Sequence, residues 1–181
     1  NLRDGLSAQE RATHPARYAL AEVCNLHDPA LQFAPIHRML FGVTDVPFLE
    51  AFSAWCAAHN AQLTDTRADA RDQVLTVLCG ASKKTWYVRH APYELPVATL
   101  QAFLDAWIPT HGGIQIDYIH GDAALAQLAA APHCCGIALE ALKKQALFPA
   151  ITKDGVLPRK TFSMGEAHEK RYYLECRALE R

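Results

Sequence analysis

The sequence lacks several features that would assign it at once to a class of protein. It has no run near the roughly 18 apolar residues that a transmembrane helix requires, and its polar start, NLRDGLSAQERATHPARY, has no apolar core of the signal-peptide kind. We therefore expect a cytoplasmic protein without a membrane partner. Because the formal net charge is only −1, no global electrostatic field would recruit nucleic acid, and we do not expect that partner either.

Motifs for metals, nucleotides and covalent catalysis are missing as well. The nine histidines and six cysteines form no C-x-x-C, H-x-H or H-x-x-x-H pair, so no metal site is predicted. There is no nucleophile elbow, phosphate-binding loop or dinucleotide fingerprint. The cysteines lie mostly in apolar runs and are expected to be buried, reduced thiols. The sequence thus leaves the catalytic residues unassigned.

What is present is the composition of an ordinary globular protein, 50% hydrophobic and 20% charged over 181 residues. Apolar residues at helical spacing follow Asp45, a candidate N-cap, and Pro96, and VLTVLC and TWYVRH flank GASKK as the strands of a hairpin do. The polar segment 62–72 is predicted to be a loop or a short helix. Further strands are predicted over 17–26, 31–41, 114–119 and 172–176. These patterns favour an α+β fold: a single mixed α/β domain over residues 1–181 with a largely antiparallel or mixed sheet.

The first candidate for ligand binding is the segment LPRKTFS at 157–163, where cations and hydroxyls are crowded together. Such groups hold phosphates and carboxylates in proteins. If the segment is an extended strand, Arg159, Thr161 and Ser163 share one face, since residues two apart do. Lys160 would then lie on the other face. The alternative is an ordinary solvated strand.

The second candidate is the pair His37 and Arg38, which interrupts an apolar stretch. A histidine titrates near neutral pH, and an arginine presents a planar fork to an anion. Burial of both is costly unless something pairs with them. They either bind a ligand or are satisfied by nearby acids such as Asp28 or Glu22.

The third candidate is DYIHGD, at a predicted strand-to-helix turn, with Tyr118, His120 and Asp122. A helix N-terminus attracts anions, and a histidine with an aspartate two residues away could act as base and orienter. Asp122 could instead be the N-cap of the helix that follows.

Two long segments together carry a family resemblance: HPARYALAEVCNLHDPALQFAPIHRMLF (14–41) and GVLPRKTFSMGEAHEKRYYLECR (155–177). In register over nearly the whole chain, they resemble bacterial proteins of the domain-of-unknown-function family ten-fifteen. Members of that family are about twice as long and carry an Asp-Gly-(Asn/His)-His motif upstream of the first segment. The motif is similar to one in ParB-like proteins, a group that includes nucleotide-dependent serine kinases.

No such motif occurs between Asn1 and Arg181. The resemblance therefore implies the C-terminal part of a small-molecule phosphotransferase of the serine or phosphoserine type, with ATP or ADP and Mg²⁺ as cofactors of the longer protein. On this hypothesis the chain holds a small phosphorylated or carboxylate ligand through Arg159, Lys160, Thr161, Ser163, His37 and Arg38.

The alternative hypothesis is a non-catalytic binding or assembly domain, with a homo-oligomer among its expected partners. In that case the 157–163 segment would form a partner surface, or its cations would form a structural ion-pair network with Glu166 and Glu169.

Overall fold

The computed structural model describes residues 5–15, 23 and 25–165. Within these residues the elements are α1 (Ala8–Thr13), β1 (Phe33–Phe41), α2 (Asp45–Ala58), β2 (Gln62–Thr64), β3 (Gln73–Cys79), β4 (Ser82–Arg89), α3 (Pro96–Trp107), β5 (Gln115–His120), α4 (Asp122–Ala129), β6 (Cys134–Leu139), α5 (Lys144–Asp154) and β7 (Phe162–Met164). The strand order is β2-β4-β3-β6-β1-β5, and β7 pairs with the start of β1. Every one of these pairings is antiparallel, which confirms the predicted α+β fold.

Strand β1 separates two apolar layers. Leu40 belongs to the main core, which α2 and α3 cover, whereas Met39 packs in a smaller cluster with Leu125 of α4. Successive side chains of a strand point to opposite faces of its sheet. Arg38 therefore shares the α2–α3 face with Leu40, and His37 shares the α4 face with Met39.

Helices α2 and α3 bury an aromatic core against the sheet. Phe48 and Phe52 of α2 are completely buried and pack against Phe103 of α3, with ring centroids 5.9 and 5.0 Å apart. Pro96 begins α3 as predicted; its missing N–H costs nothing in the first turn. This packing fixes the face of α3 that meets β1.

Three local predictions need correction. Thr44, not Asp45, is the N-cap of α2. The polar segment 62–72, predicted to be a loop or a short helix, begins with strand β2, which pairs with β4. The extended segment predicted over 158–163 becomes a strand only at Phe162, because a turn precedes it. The strand predicted over 172–176 and nearly all of that over 17–26 lie outside the described residues.

No helix in the described ranges has the length and apolar character needed to cross a membrane.

Candidate functional site

Arg38 is the central residue of the site. Its side chain is completely buried, yet its donors are well supplied with acceptors. Nε donates to Gln101 Oε1 at 3.1 Å, and Nη1 donates to the carbonyls of Ile36 and Lys160 at 2.6 and 2.9 Å. Nη2 donates to the carbonyl of Arg159 at 3.2 Å. Arg38 thereby attaches the 159–160 turn to the sheet through main-chain oxygens.

Arg38, Gln101, Asp105, Tyr118 and Arg159 form a closed set that we call the arginine network. Gln101 Nε2 donates to Asp105 Oδ1 at 2.8 Å, and Arg159 Nη2 donates to the same oxygen at 2.8 Å. Arg159 Nε donates to the Tyr118 hydroxyl at 2.7 Å. Tyr118 lies directly opposite Arg38 across β1 and β5, and the Arg38 guanidinium is 5.0 Å from the centre of its ring. Such a contact adds a cation–π attraction.

The arginine network holds more positive than negative charge. Arg38 and Arg159 contribute two guanidinium groups, and Asp105 is the one carboxylate bonded to them among the described residues. Burial lowers the pKa of Arg38 to about 10, so the group is still charged at neutral pH. Asp105 makes no hydrogen bond to Arg38: Gln101 links the two residues, and the carboxylate otherwise acts on the guanidinium through space.

The turn at 158–161 presents two of the predicted residues to solvent. Arg159 and Lys160 are both exposed, and Lys160 adopts a left-handed backbone with φ 54°, which is uncommon for a residue with a side chain. Thr161 Oγ1 donates to the carbonyl of Pro158 at 2.6 Å. The hydroxyl of Thr161 therefore closes the turn.

The predicted shared face of Arg159, Thr161 and Ser163 is not formed. Alternation of side chains requires an extended strand, and here the strand begins at Phe162, whose ring stacks on Phe33 at 4.2 Å. Ser163 pairs with Ala34 across β7 and β1. The cations at 159–160 thus owe their exposure to the turn and not to a strand face.

His37 belongs to a separate arrangement on the α4 face. Its ring is 1% exposed; Nδ1 accepts the N–H of Leu139 at 3.2 Å, and Nε2 lies 3.3 Å from Asp122 Oδ1. That second contact has an ion-pair distance without hydrogen-bond geometry. Because Nδ1 is an acceptor, the neutral ring carries its proton on Nε2. Burial lowers the pKa of His37, and the nearby Asp122 carboxylate opposes this shift.

The neutral ring has no lone pair left for a general base, because Leu139 occupies Nδ1 and the Nε2 proton faces Asp122. A cavity of about 180 Å³ opens beside Asp122 and is also lined by Thr76, Lys83 and Glu140. Its lining carries two carboxylates and one ammonium group, so it does not form an anion site.

Asp122 has a different role from the N-cap we predicted. Helix α4 is capped by Gly121, with no side-chain hydrogen bond, and Asp122 is its first helical residue. The carboxylate contacts His37, not His120, so the predicted base-and-orienter pair within DYIHGD is not formed. Tyr118 of the same segment joins the arginine network on the opposite face.

The structure therefore brings Arg38 together with Arg159 and the backbone of Lys160, and it separates His37 from them. Asp28, proposed as a partner for the His37–Arg38 pair, bonds to neither; Glu22, Glu166 and Glu169 lie outside the described residues. Sequence reasoning missed Gln101 and Asp105. Their signal was two polar residues four apart on α3, one of them between buried apolar neighbours.

Other chemistry finds little support in the described part of the chain. It contains no group of three His, Cys, Asp or Glu side chains that could hold a metal ion. Burial raises the pKa of the Cys56 and Cys135 thiols to about 12, so these two are poor nucleophiles at neutral pH.

Comparison with known proteins gives one family and one structural relative. A conserved hypothetical protein from Pyrococcus furiosus superimposes with a TM-score of 0.53 at 11% sequence identity, over 80% of this chain and 60% of that one. At this identity the likeness concerns the fold alone, and the chain spans 60% of the length of that relative. No curated protein matches the chain.

The family model for "Protein of unknown function (DUF1015)" matches residues 1–107. This range includes the 14–41 segment that carried the resemblance, and it ends before the 155–177 segment, so the match is shorter than the resemblance suggested. It nevertheless covers more than half of the 181 residues. The chain therefore belongs to the family described as protein of unknown function (DUF1015).

Proposed function

We propose that the chain binds a small anionic ligand, through a phosphate or carboxylate group, at the exposed edge of the arginine network. The observation that carries this proposal is the charge imbalance there. The guanidinium groups of Arg38 and Arg159 and the ammonium group of Lys160 face a single bonded carboxylate, Asp105, among the described residues. A buried charge without a counterion is unfavourable, so an anion in reach of this cluster gains favourable electrostatic energy.

Each exposed cation has a defined part in this binding. Arg159 uses Nε and Nη2 for Tyr118 and Asp105. Its Nη1 bonds to no group among the described residues, so these donors are available to the ligand. Lys160 Nζ bonds to no residue in the described part of the chain, and its flexible stem lets the ammonium group meet an anion held by the neighbouring arginine. Arg38 positions the turn from its buried side through the carbonyls of Arg159 and Lys160, and its positive charge adds to the attraction of an anion. Thr161 and Ser163 support the same turn and strand.

For the whole protein we propose phosphotransfer on a small molecule of the serine or phosphoserine type, with ATP or ADP and Mg²⁺ as cofactors. The support is the resemblance to ParB-like proteins, together with the preference of guanidinium groups for phosphate. On this proposal the chain contributes ligand binding, and the reacting groups lie elsewhere in the longer protein.

The binding proposal predicts that removing both exposed cations weakens anion binding. In calorimetry at constant ionic strength, the double variant R159A/K160A should bind inorganic phosphate at least about tenfold more weakly, because it loses two charge-assisted contacts. ATP, ADP, serine and phosphoserine, tested in the same way, identify the larger ligand.

The matched control is R71A/K143A, which removes the same two charges from exposed positions away from the network. It should leave phosphate affinity unchanged. Equal affinities for the wild type and R159A/K160A would refute the proposal.

One observation favours the alternative, a non-catalytic binding or assembly domain. Four donor contacts of Arg38 and two of Arg159 already end on groups of the chain itself, as they would in a purely structural network. The two functions differ in thermal shift experiments. If none of the phosphate or serine ligands changes the melting temperature while the protein self-associates, the assembly function is correct.

A further inference from the structure

Asp105 already holds one of the two terminal nitrogens that a bidentate ligand carboxylate would use on Arg159. Its Oδ1 accepts from Arg159 Nη2 at 2.8 Å, and the contact is accessible from solvent, with the two side chains 60% and 49% exposed. Gln101 holds the same oxygen from the buried side at 2.8 Å. The network thus contains a resident anion, fixed on helix α3, that a ligand has to displace or tolerate.

The Asp105 carboxylate competes strongly with any ligand that would bind Arg159 through a carboxylate of its own. A tethered group acts at a high effective concentration, commonly in the millimolar range or above. A free monocarboxylate would exchange one arginine–carboxylate contact for an equivalent one, and it would also lose translational and rotational freedom. Such a ligand gains nothing from the exchange.

A phosphate group has more negative charge and more acceptor oxygens than a carboxylate. It carries about −1.5 to −2 charges near neutral pH and has three acceptor oxygens in divergent directions. It can therefore accept from both terminal nitrogens of Arg159 with two oxygens and from the ammonium group of Lys160 with the third, whereas a bidentate contact with Arg159 uses both oxygens of a carboxylate. Asp105 makes no bond to Lys160, so the contact with Lys160 is one that the resident carboxylate does not compete for.

From this geometry we infer that Asp105 restricts the site to phosphate-bearing ligands. It does so by competing for Arg159 with ligands whose only anionic group is a carboxylate. The inference rests on the proposed anion binding at the arginine network and narrows it from phosphate or carboxylate to phosphate. Asp105 is accordingly a specificity-determining residue, and Lys160 supplies the contact on which the preference depends.

The test measures binding of inorganic phosphate and of acetate to the full-length protein by calorimetry at constant ionic strength. The wild type should bind phosphate at least about tenfold more tightly than acetate. The isosteric variant D105N should bind phosphate about tenfold more tightly than the wild type does, and acetate binding should become measurable, because the competing charge is gone.

The matched control is D69N, which removes one negative charge from another exposed aspartate–arginine pair, that of Asp69 and Arg71. It should change both affinities by less than about twofold. Thermal melting of each variant in the absence of ligand identifies any that is not folded. Should D105N fail to fold, the comparison of phosphate with acetate on the wild type and on K160A replaces it, with K160A expected to lose the phosphate preference.

The outcomes separate this inference from the proposed function. If phosphate binds but acetate binds equally well, or if D105N gains no more than D69N, the inference is wrong and the anion site stands. If D105N loses phosphate binding, Asp105 positions Arg159 and does not compete with the ligand. If neither anion binds to any of these proteins, the proposed function fails as well.

Discussion

His37 and Arg38 are adjacent residues with opposite surroundings. One ring nitrogen of His37 meets a backbone N–H of the neighbouring strand and the other meets a carboxylate on the α4 face. The Arg38 guanidinium meets carbonyl and amide oxygens on the α2–α3 face. Every Arg38 nitrogen donates a hydrogen bond, whereas in His37 only Nδ1 has a hydrogen-bond partner and Nε2 has an ion-pair contact alone. The two residues differ in that the charge of His37 can change with pH, whereas Arg38 stays charged at neutral pH.

His37 should make the stability of the protein depend on pH. Burial holds the pKa of its folded form below the unfolded value of 6.5, so the unfolded state binds more protons between these two values. The free energy of unfolding therefore falls as the pH decreases below about 6.5. The variant H37N keeps an acceptor for the Leu139 N–H but does not titrate. Urea unfolding at pH 7.5, 6.5 and 5.5 should show a smaller loss of stability for H37N than for the wild type.

The control for this series is H90N. His90 is exposed and has a left-handed backbone, φ 52°, which asparagine tolerates. H90N should follow the wild-type pH dependence. Parallel curves for H37N and the wild type would show that His37 is not the titrating group.

Arg38 should be important for stability at every pH at which the protein folds. The variant R38M keeps an unbranched apolar stem, but it leaves the carbonyls of Lys160 and Arg159 and the amide oxygen of Gln101 without their donor. The unsatisfied amide oxygen of the buried Gln101 costs about 1–3 kcal/mol, and each lost bond to the partly buried carbonyls of the turn costs about 1 kcal/mol. We therefore expect a loss of about 3 kcal/mol or more in urea unfolding. R71M, at an exposed ion pair, should change stability by less than about 1 kcal/mol. A similarly small change in R38M would contradict the structural role.

At the scale of elements, the end of β1 depends on close contact with the loop before β5. Gly42 has φ 82°, and a Cβ there would overlap the carbonyl oxygen of Gly113. Its N–H donates to the carbonyl of His133 at 2.8 Å. The chain can therefore leave β1 and turn toward α2 only with glycine at this position.

The substitution Gly42→Ala should consequently be more destabilising than Gly80→Ala. Gly80 also has a positive φ, 60°, but a Cβ there meets open space, so alanine costs only the backbone strain of about 1–2 kcal/mol. At Gly42 the steric overlap adds about 1–3 kcal/mol. Thermal or urea unfolding of the two variants measures the difference, and equal losses would contradict the close approach.

The elements differ in how far the sequence predicts them. α3 and the β3–β4 hairpin follow from Pro96, the apolar spacing after it and the GASKK turn, which are local signals. β2 was missed because its three residues are too few to establish an alternation, and they become a strand only by pairing with β4. The extended segment that contains β7 was predicted to begin too early, at 158. Lys160 adopts a left-handed backbone in the turn before the strand, and the residue types at 158–161 did not lead us to expect it.

At the scale of the whole molecule, the candidate site depends on contacts that no local pattern contains. The residues at 37–38 and 159–160 could each be identified from their own segment, the first pair because it interrupts an apolar stretch and the second because two cations lie beside hydroxyl residues. Their meeting could not be predicted, because the bond between Arg38 and Lys160 joins residues 122 positions apart. The same holds for the separation of His37 from Arg38, which required the two faces of β1 to be known.

The attachment of the 159–160 turn has a consequence for how this site can change during evolution. Arg38 holds the turn by its carbonyl oxygens, which every amino acid possesses. Mutations at 159 and 160 can therefore alter the charge and shape of the exposed surface while the anchor beneath it persists. If the proposed function is correct, the fold offers a position where ligand preference can change among related proteins without the loss of the supporting turn.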